Sequence, residues 1–430
     1  MKLISQKFLS KFIMEGWLVK RSGIPHFWHK RYCVIESNCF YIYLDQQRQK
    51  MTNWFSITPK SQVALMESKK GLRFKITQPE GKDFAFQAKD EKEFHAWLNH
   101  ILLLSIPENT EKINEYEIIS VLGRGFYGKV VLAKHKKTGK FCAIKSIHKK
   151  VLLDMKKVDT IMVERDILKS TKSPFIVSLL SSFQTPSKFY LVLEYVSGGD
   201  LFMHLTNNNN EISVDQIKLY IAELAVALEQ LHKDHIIYRD LKPENVLICE
   251  DGHIKLTDFG ISKMLNEKQS TTNTLCGTGE YLAPEVISGK GYTEAIDWWQ
   301  LGILMYEMVV GKTPFADTNK SIMYSNIMNK NPNFFPIEDE NARNLIAHLL
   351  RKDPAKRAGF EEIKNSKFFE GFDWTDMKSR DAYMFPKDSS SSESLNNFNK
   401  KFTEEEAEDS DAMPVMEKFG DFEYVSPEFA

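Results

Sequence analysis

The chain of 430 residues has few cysteines, no excess of charge of one sign and no long apolar run. Its five cysteines are scattered without the close spacing of a zinc site or a disulfide framework, which favours free thiols in a reducing compartment. Lysine plus arginine (57) nearly cancels aspartate plus glutamate (58), so no global charge attracts nucleic acid or a membrane. The longest apolar stretches, such as LGILMYEMVVG, fall short of the ~20 residues that cross a bilayer, and no signal peptide is found. We therefore expect a cytoplasmic protein without a nucleic-acid partner.

Short strand-like runs alternate with turns from residue 14 to residue 88. GWLVK, RYCVI, CFYIYL and FAFQA are rich in aromatic and β-branched residues, which favours strands. The following DEKEFHAWLNHILLLS is typical of an amphipathic helix that Asp90 can cap. The apolar face of this helix is formed by Phe94, Trp97, Leu98 and Ile101. Strands followed by one helix predict a small β-barrel or sandwich with a C-terminal helix over residues 14–105.

A second and larger body is expected over 116–374, after a polar linker at 106–115. Strand-like runs continue to about Tyr195 and are broken by one helical stretch, VDTIMVERDILKS, whereas the pattern after Gly199 is helical. This order predicts two lobes, the first mostly strand and the second mostly helix.

The two ends of the chain differ in composition from these bodies. Residues 1–13 are weakly amphipathic, which fits either a frayed extension or a membrane-touching helix. A tail is expected over 375–430, and from about Asp376 its stretches KDSSSSESLNNFNK and TEEEAEDSDA are expected to be unstructured.

Three glycines, Gly123, Gly125 and Gly128, form the pattern GxGxxG within GRGFYGKV. The same pattern marks dinucleotide sites, but there the glycines open a helix, whereas strand-like sequence lies on both sides here. Such a hairpin can cover phosphates, because small residues let backbone N–H groups approach phosphate oxygens closely. An ordinary glycine-rich turn remains the alternative.

Lys145 ends the apolar strand FCAIK, where a buried ammonium group is costly unless it is paired. Glu164, on the helical stretch TIMVERDILKS, can supply the partner. The alternative is a lysine that snorkels to solvent at a strand end.

Two further motifs, IIYRDLKPENVLI and IKLTDFG, follow in order. The first places Asp240, Lys242 and Asn245 in a polar loop, and the second places Asp258 directly after a strand. Phosphoryl transfer needs one carboxylate to orient the hydroxyl, an Asn and a second carboxylate for Mg²⁺, and a lysine for phosphate charge. Together with YLAPE these motifs form the protein-kinase signature set. The structural alternatives hold for single motifs but fail for the ordered set.

Residues 116–374 therefore resemble a protein kinase, and CGTGEYLAPE, DWWQLGILMYEM and GKTPF resemble the AGC group. In that group Pro usually stands at the position of Gly279, and His is commoner than Tyr238 before the arginine across kinases. The resemblance implies ATP and Mg²⁺ as cofactors and a serine/threonine kinase activity. A pseudokinase scaffold is the rival interpretation, disfavoured because every catalytic position is filled.

The resemblance assigns roles to residues that match the family motifs. The implied catalytic residues are Asp240 as the base, Lys242, and the pair Lys145 and Glu164, and the implied magnesium ligands are Asn245 and Asp258. The positions implied around ATP are Leu122, Gly123, Arg124, Gly125, Phe126, Tyr127, Gly128, Lys129, Val130, Lys145, Leu193, Glu194, Val196, Glu244 and Leu247. Among these, Glu194 and Val196 would meet adenine through backbone groups, behind Leu193 as gatekeeper.

The resemblance also implies regulation and substrate choice. Thr274 falls at the activation-loop phosphosite, where an upstream kinase would act and Arg239 could clamp the phosphate. Arg357 would form a structural pair with Glu285. Positions that read basic side chains before the phosphoacceptor are matched by Asp200, Glu244 and Glu307, which implies protein substrates with upstream arginine. Ordinary surface charge is the alternative for these three carboxylates.

The segment MEGWLVKRSGIPHFWHKRYCVI resembles the opening hairpin of a pleckstrin-homology domain, and Trp97 matches the helix tryptophan of that fold. A local positive pocket is expected from Lys20, Arg21, His29, Lys30 and Arg31, joined by Lys82. In trisphosphoinositide-binding members Lys20 and Arg31 match phosphate ligands, whereas His29 stands where those members usually carry Arg. Recruitment to membranes by phosphoinositides is implied, with a protein-binding domain as the alternative.

The domain order resembles that of the protein kinase B (Akt) family, in which an FxxF hydrophobic motif docks on the small lobe. Phe419 and Phe422 are therefore expected beside the helix that carries Glu164. In that family a phosphorylated serine follows the second Phe, whereas Glu423 carries a permanent charge here. Ser410 is left open as a tail phosphosite, and a monomer is expected.

Overall fold

A computed structural model gives the fold of the chain and describes most of its residues. The exceptions are 1–13, 23–26, 37, 59, 67–71, 105–112, 126–127, 208–211, 266–270, 273, 275, 376, 378–394, 396, 410–414, 416–418, 421, 428 and 430. The expected N-terminal extension, most of the expected linker and Ser410 therefore lie outside the described residues.

Within the described residues, the first domain consists of seven antiparallel strands and one helix. The strands are β1 (Met14–Ser22), β2 (Phe27–Glu36), β3 (Cys39–Tyr43), β4 (Met51–Ser56), β5 (Gln62–Met66), β6 (Arg73–Thr77) and β7 (Asp83–Gln87), and the helix is α1 (Glu91–Leu104). Hydrogen bonds join the strands in the order β4-β3-β2-β1-β7-β6-β5. The strand runs predicted from the sequence are confirmed in β1, β2, β3 and β7, and the other three strands were not predicted.

The predicted small barrel or sandwich with a C-terminal helix is confirmed, although the sheet does not close, because β4 and β5 do not pair among the described residues and remain the two edges of the sheet. The sheet nevertheless curves, since Phe55 of β4 stacks on Phe84 of β7 with ring centroids 4.2 Å apart although three strands lie between them. Helix α1 fills the concave side with the four apolar residues predicted for its face, all of them buried. The predicted cap is confirmed, because Asp90 Oδ1 accepts a hydrogen bond from the Glu93 N–H at 2.9 Å.

The small lobe of the second body is an antiparallel sheet with two helices. Its elements are β8 (Tyr116–Gly125), β9 (Gly128–His135), β10 (Phe141–His148), α2 (Lys149–Asp154), α3 (Val158–Ser170), β11 (Leu179–Gln184) and β12 (Lys188–Glu194). The sheet order is β11-β12-β10-β9-β8. Only α3 was predicted as a helix in this region, so the prediction missed α2.

The large lobe is mostly helical and begins after the segment that follows β12. Its helices are α4 (Leu201–Asn207), α5 (Val214–Lys233), α6 (Pro284–Ser288), α7 (Ala295–Val310), α8 (Lys320–Asn329), α9 (Glu340–Leu349) and α10 (Phe360–Lys364). Two short strand pairs, β13 (Ile236–Ile237) with β16 (Lys263–Met264) and β14 (Val246–Ile248) with β15 (Ile254–Leu256), carry the polar loops. Helix α7 is apolar on nearly all sides and is the buried centre of this lobe.

The expectation that TEEEAEDSDA is unstructured is wrong for its described residues, 403–409. Helix α11 (Lys400–Thr403) contacts β8, and β17 (Tyr424–Val425) adds a strand to the free edge of β11. The acidic segment before β17 is held by charge, since Asp409 pairs with Lys188 Nζ at 2.5 Å and Glu405 accepts from Arg124 Nε at 2.6 Å. Among the described residues, no helix is long and apolar enough to cross a membrane.

Candidate active site

The glycine-rich hairpin joins β8 and β9 with Gly125 opposite Gly128, and its tip residues Phe126 and Tyr127 lie outside the described residues. A Cβ atom added at Gly123 or Gly125 would meet no atom within 4 Å, so both positions face open space. A Cβ at Gly128 would instead overlap the backbone carbonyl of Ser146 in β10. The first two glycines thus leave room for a ligand, whereas the third is required by strand packing.

Not all side chains around this hairpin face the same way. Arg124 is paired with Glu405 of the tail. Lys129 is buried, and that burial lowers its pKa. Arg124, which the family resemblance implies around ATP, therefore points toward the tail segment.

Lys145 on β10 lies between two carboxylates. Its Nζ is 2.7 Å from Glu164 Oε1 of α3 and 2.8 Å from Asp258 Oδ1. Burial alone would lower the pKa of Lys145, but the attraction of Asp258 and Glu164 outweighs it and raises that pKa above its usual value. The charge of Lys145 in turn holds the pKa of Asp258 below its usual range. Burial raises the pKa of Glu164, and the charge of Lys145 opposes that change, so the three groups stabilise one another's charges.

Asp258 adopts a left-handed backbone conformation with φ of 57°, which is uncommon for a residue with a side chain. The neighbouring Phe259 is buried and packs edge-on against Tyr238, with ring centroids 5.3 Å apart. Gly260 donates its N–H to Asp258 Oδ1 at 3.3 Å. Since Lys145 binds the same oxygen, Asp258 Oδ2 has no hydrogen-bond partner within the described part of the chain.

Asp240 is the centre of a second polar cluster. Its Oδ2 accepts from Lys242 Nζ at 2.8 Å and from Asn245 Nδ2 at 2.9 Å, and its Oδ1 accepts from Thr278 Oγ1 at 3.2 Å. Lys242 also donates to Thr278 Oγ1 at 3.1 Å. Thr278 joins the loop to the segment that carries Gly279. This role of Thr278 was not predicted from the sequence.

Two buried polar residues of α7 bind the backbone of the loop that carries Asp240. Asp297 accepts the backbone N–H groups of Tyr238 and Arg239 at 2.9 and 2.8 Å. Gln300 donates to the Arg239 carbonyl at 2.9 Å and accepts the Leu241 N–H at 3.0 Å. The sequence analysis missed both residues, although two polar residues three positions apart in an apolar helix are a usable signal.

The segment after β12 lines the other side of the cleft. Leu193 and Val196 are buried. The Glu194 N–H donates to the Ser178 carbonyl at 3.0 Å, so only the carbonyl of that residue is left for a ligand. Neither backbone group of Val196 has a hydrogen-bond partner among the described residues. Leu247 of β14 is half-buried beneath Asp200, with which it forms an isolated bridge.

Glu307, Glu244 and two unpredicted carboxylates, Glu280 and Asp317, line one cavity of about 420 Å³ that also contains Thr278. Burial raises the pKa of Glu307, and the charges of Glu244 and Glu280 act in the same direction. Tyr281 donates its hydroxyl to Glu307. The cavity is therefore acidic and adjoins Asp240 through Thr278.

Asp200 is partly structural, because its Oδ1 accepts the Met203 N–H at 2.8 Å at the start of α4. Burial raises the pKa of this carboxyl, and the charge of Glu244 adds to that rise. Asp200 does not line the acidic cavity, although Phe202 of α4 does.

The activation segment and the helical lobe contain the remaining predicted pairs. Thr274 is exposed. Arg239 is buried and donates to the Ile261 carbonyl at 2.6 Å and to the Tyr292 hydroxyl at 3.1 Å. Arg357 binds Glu285 with two hydrogen bonds, of 2.6 and 2.9 Å, which hold the first turn of α6.

The basic residues of the first domain are divided between two faces of the β1–β2 hairpin. Lys20 lies opposite His29 and Leu18 lies opposite Arg31, so Lys20, His29 and Arg31 share the face of the core residue Leu18. Arg21 and Lys30 point to the opposite face, where the Lys30 ammonium lies 4.9 Å from the Trp17 ring centre.

Lys20 lies in the most crowded part of this face. Burial lowers the pKa of Lys20, and the positive charges of Arg31 and Lys82 lower it further. No carboxylate forms an ion pair with these three cations in the part of the chain that the structure describes. This arrangement is typical of a site for an anion.

The tail places its aromatic residues against α2, α3 and β12. Phe422 is completely buried, and its ring centre is 4.6 Å from that of Phe189 and 5.5 Å from the Arg165 guanidinium. Phe419 packs edge-on against Phe189 at 5.3 Å. Ser182 Oγ donates to the Phe422 carbonyl at 2.6 Å.

Glu423 is connected to Lys149 of α2 through one amide. Gln184 Nε2 donates to Glu423 Oε1 at 3.0 Å, and Gln184 Oε1 accepts from Lys149 Nζ at 2.7 Å. Burial lowers the pKa of Lys149 to about 8, while the charge of Glu423 opposes that change.

Comparisons with known proteins agree with this geometry. Residues 116–369 match the protein kinase domain family, and residues 12–105 match the PH domain family. Serine/threonine-protein kinase Sgk1 of Xenopus tropicalis is 44% identical over 300 residues, covering 68% of this chain and 72% of that protein. The human Sgk1 is also 44% identical over 300 residues, with 68% and 69% covered.

A fungal relative matches a longer part of the chain. Serine/threonine-protein kinase gad8 of Schizosaccharomyces pombe is 42% identical over 326 residues, covering 73% of this chain but 57% of that protein. The alignment thus spans a little over half of gad8. The family matches and these identities confirm the predicted domain types, and the chain belongs to the serine/threonine protein kinases, with a PH domain before its kinase domain.

Proposed function

We propose that this kinase transfers the γ-phosphoryl group of ATP, with Mg²⁺, to serine or threonine in proteins with basic residues upstream of the phosphoacceptor. Protein kinases as a family use ATP and a divalent metal ion. The acidic cavity beside Asp240 carries the proposal on substrate choice. Its carboxylates lie next to the loop where the hydroxyl must be oriented, and four of them share the lining with a single lysine, Lys320, among the described residues.

Asp240 acts as the acceptor that orients the substrate hydroxyl. Lys242 lies 2.8 Å from the same carboxylate and is placed to neutralise charge that develops on the transferred group. Thr278 holds Asp240 Oδ1 and fixes the rotation of the carboxylate. Asp297 and Gln300 act through the backbone, since they hold the loop itself.

The cleft fits a nucleotide. The open positions at Gly123 and Gly125 leave room for phosphates beneath the hairpin, and the unpartnered backbone groups of Val196 suit an adenine edge. Lys145, held by Glu164, would bind the α- and β-phosphates. When bound, Mg²⁺-ATP supplies the phosphoryl group together with partial neutralisation of its charge.

The donor set also fits a hard divalent ion. Asn245 Nδ2 faces two acceptors, the carbonyl and the carboxylate of Asp240, so its Oδ1 must turn away from them. Together with the unpartnered Oδ2 of Asp258, this gives one amide and one carboxylate oxygen, which are ligands that Mg²⁺ accepts. The remaining positions would be filled by phosphate oxygens and water.

Peptide selectivity tests the proposal on substrates. Glu244→Gln with Glu307→Gln should reduce the preference in kcat/KM for an arginine-containing peptide over its alanine analogue by about 10-fold or more, because charge-assisted bonds are lost. Glu338→Gln, at an exposed carboxylate of the same lobe, is the matched control. An unchanged preference in the double variant would overturn the assignment.

Acid pH should have the same effect on the parent. Burial raises the pKa of Glu307 and of Asp200. As pH falls through those raised values, the carboxylates gain protons, lose charge and bind arginine less well. The kcat/KM ratio of the two peptides should therefore fall at lower pH, and this ratio cancels effects on the chemical step.

The first domain is proposed to bind phosphoinositides and to recruit the kinase from the cytoplasm to membranes. The crowded cations Lys20, Arg31 and Lys82 support this, with His29 on the same face of the hairpin, whereas Arg21 lies on the opposite face and would have to reach the ligand around the hairpin. A protein-binding role is the second candidate. Binding to vesicles that contain phosphoinositide, compared with vesicles of neutral lipid, separates the two.

Regulation is proposed to follow the family pattern. An upstream kinase would phosphorylate Thr274, and the tail docked through Phe419, Phe422 and Glu423 would hold α3 and keep Lys145 paired with Glu164. We propose a monomer with the PH domain over 14–105, the kinase domain over 116–374 and the tail over 375–430. A pseudokinase scaffold would be established instead if no phosphoryl transfer were detectable.

A further inference from the structure

Tyr292, in the loop before α7, connects the activation segment to the catalytic loop. The residue is 3% exposed. Its backbone pairs in both directions with Thr272, through hydrogen bonds of 3.1 and 2.9 Å. Its ring is thereby fixed beside Thr274, two residues further along the activation segment.

The hydroxyl group of Tyr292 bridges Arg239 and Thr274 with a defined polarity, and Cys276 Sγ lies 3.8 Å from the same oxygen. Arg239 Nη1 donates to it at 3.1 Å, and it donates to the Thr274 carbonyl at 2.7 Å. A guanidinium can only donate and a carbonyl can only accept, so the single hydroxyl proton must point toward Thr274. Burial raises the pKa of Tyr292 to about 12, which keeps that proton in place at neutral pH.

Arg239 transmits this contact to the catalytic base. Its backbone has a φ of 73°, in the left-handed region, which a non-glycine residue keeps only where several contacts enforce it. Asp297 and Gln300 bind its N–H and carbonyl groups, and Ile261 accepts from its Nε at 2.6 Å. Asp240 follows directly in the chain.

We propose that Tyr292 is a positioning residue that attaches the activation segment to Arg239 while Thr274 carries no phosphate. The bridge supports the activity of the unphosphorylated enzyme. A phosphate on Thr274 would pair with the Arg239 guanidinium directly and make the hydroxyl dispensable. This inference rests on the proposed phosphorylation of Thr274.

Tyr292→Phe in the full chain removes the hydroxyl and keeps the ring and the backbone pairing with Thr272. We would measure kcat and KM in two states. The first is the Thr274→Ala variant, which cannot be phosphorylated at this position, and the second is enzyme fully phosphorylated at Thr274. Thr274→Ala retains the carbonyl that Tyr292 binds. Adding Tyr292→Phe to Thr274→Ala should lower kcat about 10-fold or more, whereas the phosphorylated variant should stay within about 2-fold of the phosphorylated parent.

Tyr306→Phe is the matched control, because Tyr306 is a buried tyrosine of α7 whose hydroxyl donates to the Asn333 carbonyl at 2.8 Å. It should change kcat equally in both states. Equal losses for Tyr292→Phe in both states, or no loss on Thr274→Ala, would overturn the inference while leaving the proposed function intact. If phosphorylation of Thr274 does not raise the activity of the parent enzyme, both the proposed switch and this inference are overturned.

Discussion

Lys145 in the kinase cleft and Lys20 on the hairpin of the first domain are both lysines with restricted access to water, yet their neighbours differ. Lys145 lies within 2.8 Å of Glu164 and Asp258, and the attraction of these carboxylates outweighs burial and raises its pKa. Burial lowers the pKa of Lys20, and Arg31 lowers it further. The same residue type is thus stabilised in its charged form at one site and destabilised at the other.

This difference shows what each site still requires. The cleft balances the charge of Lys145 with neighbouring carboxylates, so the groups that we propose to be catalytic are positioned by the protein itself, which is the condition for electrostatic catalysis. The hairpin holds like charges together, which supports the proposal that it binds an anion.

The largest effect is expected in the cleft for Asp240→Asn. The amide cannot accept the hydroxyl proton, so single-turnover rates should fall by about 10²–10⁴-fold. The amide can still occupy the place between Lys242 and Thr278, so the fold should persist, as thermal unfolding would show. Asp251→Asn, in the exposed turn between β14 and β15, is the control, and a normal rate in Asp240→Asn would refute the role of this base.

The tail extends the comparison, because the Lys149 ammonium lies 5.2 Å from the ring centre of Phe419 and is influenced by the charge of Glu423. Phe422→Ala should weaken tail docking by about 3–5 kcal/mol, since it removes a fully buried ring. Two measurements would report this: a lower activity of the Thr274-phosphorylated enzyme, and faster cleavage of the tail by a protease. Glu423→Gln should lower the activity less than Phe422→Ala does. If Glu423→Gln is as active as the parent, only the buried aromatic rings contribute to tail docking.

On the hairpin, Arg31→Ala should lower affinity for phosphoinositide vesicles by about 1.5–3 kcal/mol, the contribution of one charge-assisted contact. Lys30→Ala makes the same charge change on the opposite face of the same strand. Vesicle sedimentation should therefore distinguish the two variants. Equal losses would mean that net charge alone, and no defined site, attracts the membrane.

The smallest effect is expected for Gly279→Pro, which restores the residue that the AGC pattern usually has. Gly279 is the first residue of a 3₁₀ turn, a position that suits proline, and an added Cβ would lie 3.2 Å from the flexible end of Met323. We expect a gain of about 0.4–1 kcal/mol in the free energy of unfolding. A lower free energy of unfolding in chemical denaturation would show that the Met323 side chain cannot move to make room for the proline.

The family and the domain order could be predicted because their signals are local in sequence. GxGxxG, the YRD and DFG motifs and the aromatic hairpin each hold several functional residues within a few positions. Helix α1 was predicted with its buried face, since helical periodicity alone defines that face. The edge strands β4 and β5, and β6 beside β5, were missed because they carry weak patterns.

Other features depended on contacts between distant segments. The acidic composition of residues 403–409 predicted disorder, yet Lys188 and Arg124 bind that segment from more than 200 residues away in the chain. Asp297, Gln300 and Tyr292 act on the catalytic loop from a different part of the sequence.

The sequence by itself determined the chemistry of this protein, because phosphoryl transfer requires particular residue types at fixed short spacings. Only the tertiary structure decided which face of the hairpin holds Lys20 with Arg31, whether the first sheet closes, and what the third glycine of the hairpin is for. Each of these depends on the approach of one strand to another, and strand pairing joins residues whose separation along the chain carries no periodic signal. Gly128 illustrates this, since only the nearby carbonyl of Ser146 in β10 excludes a side chain there.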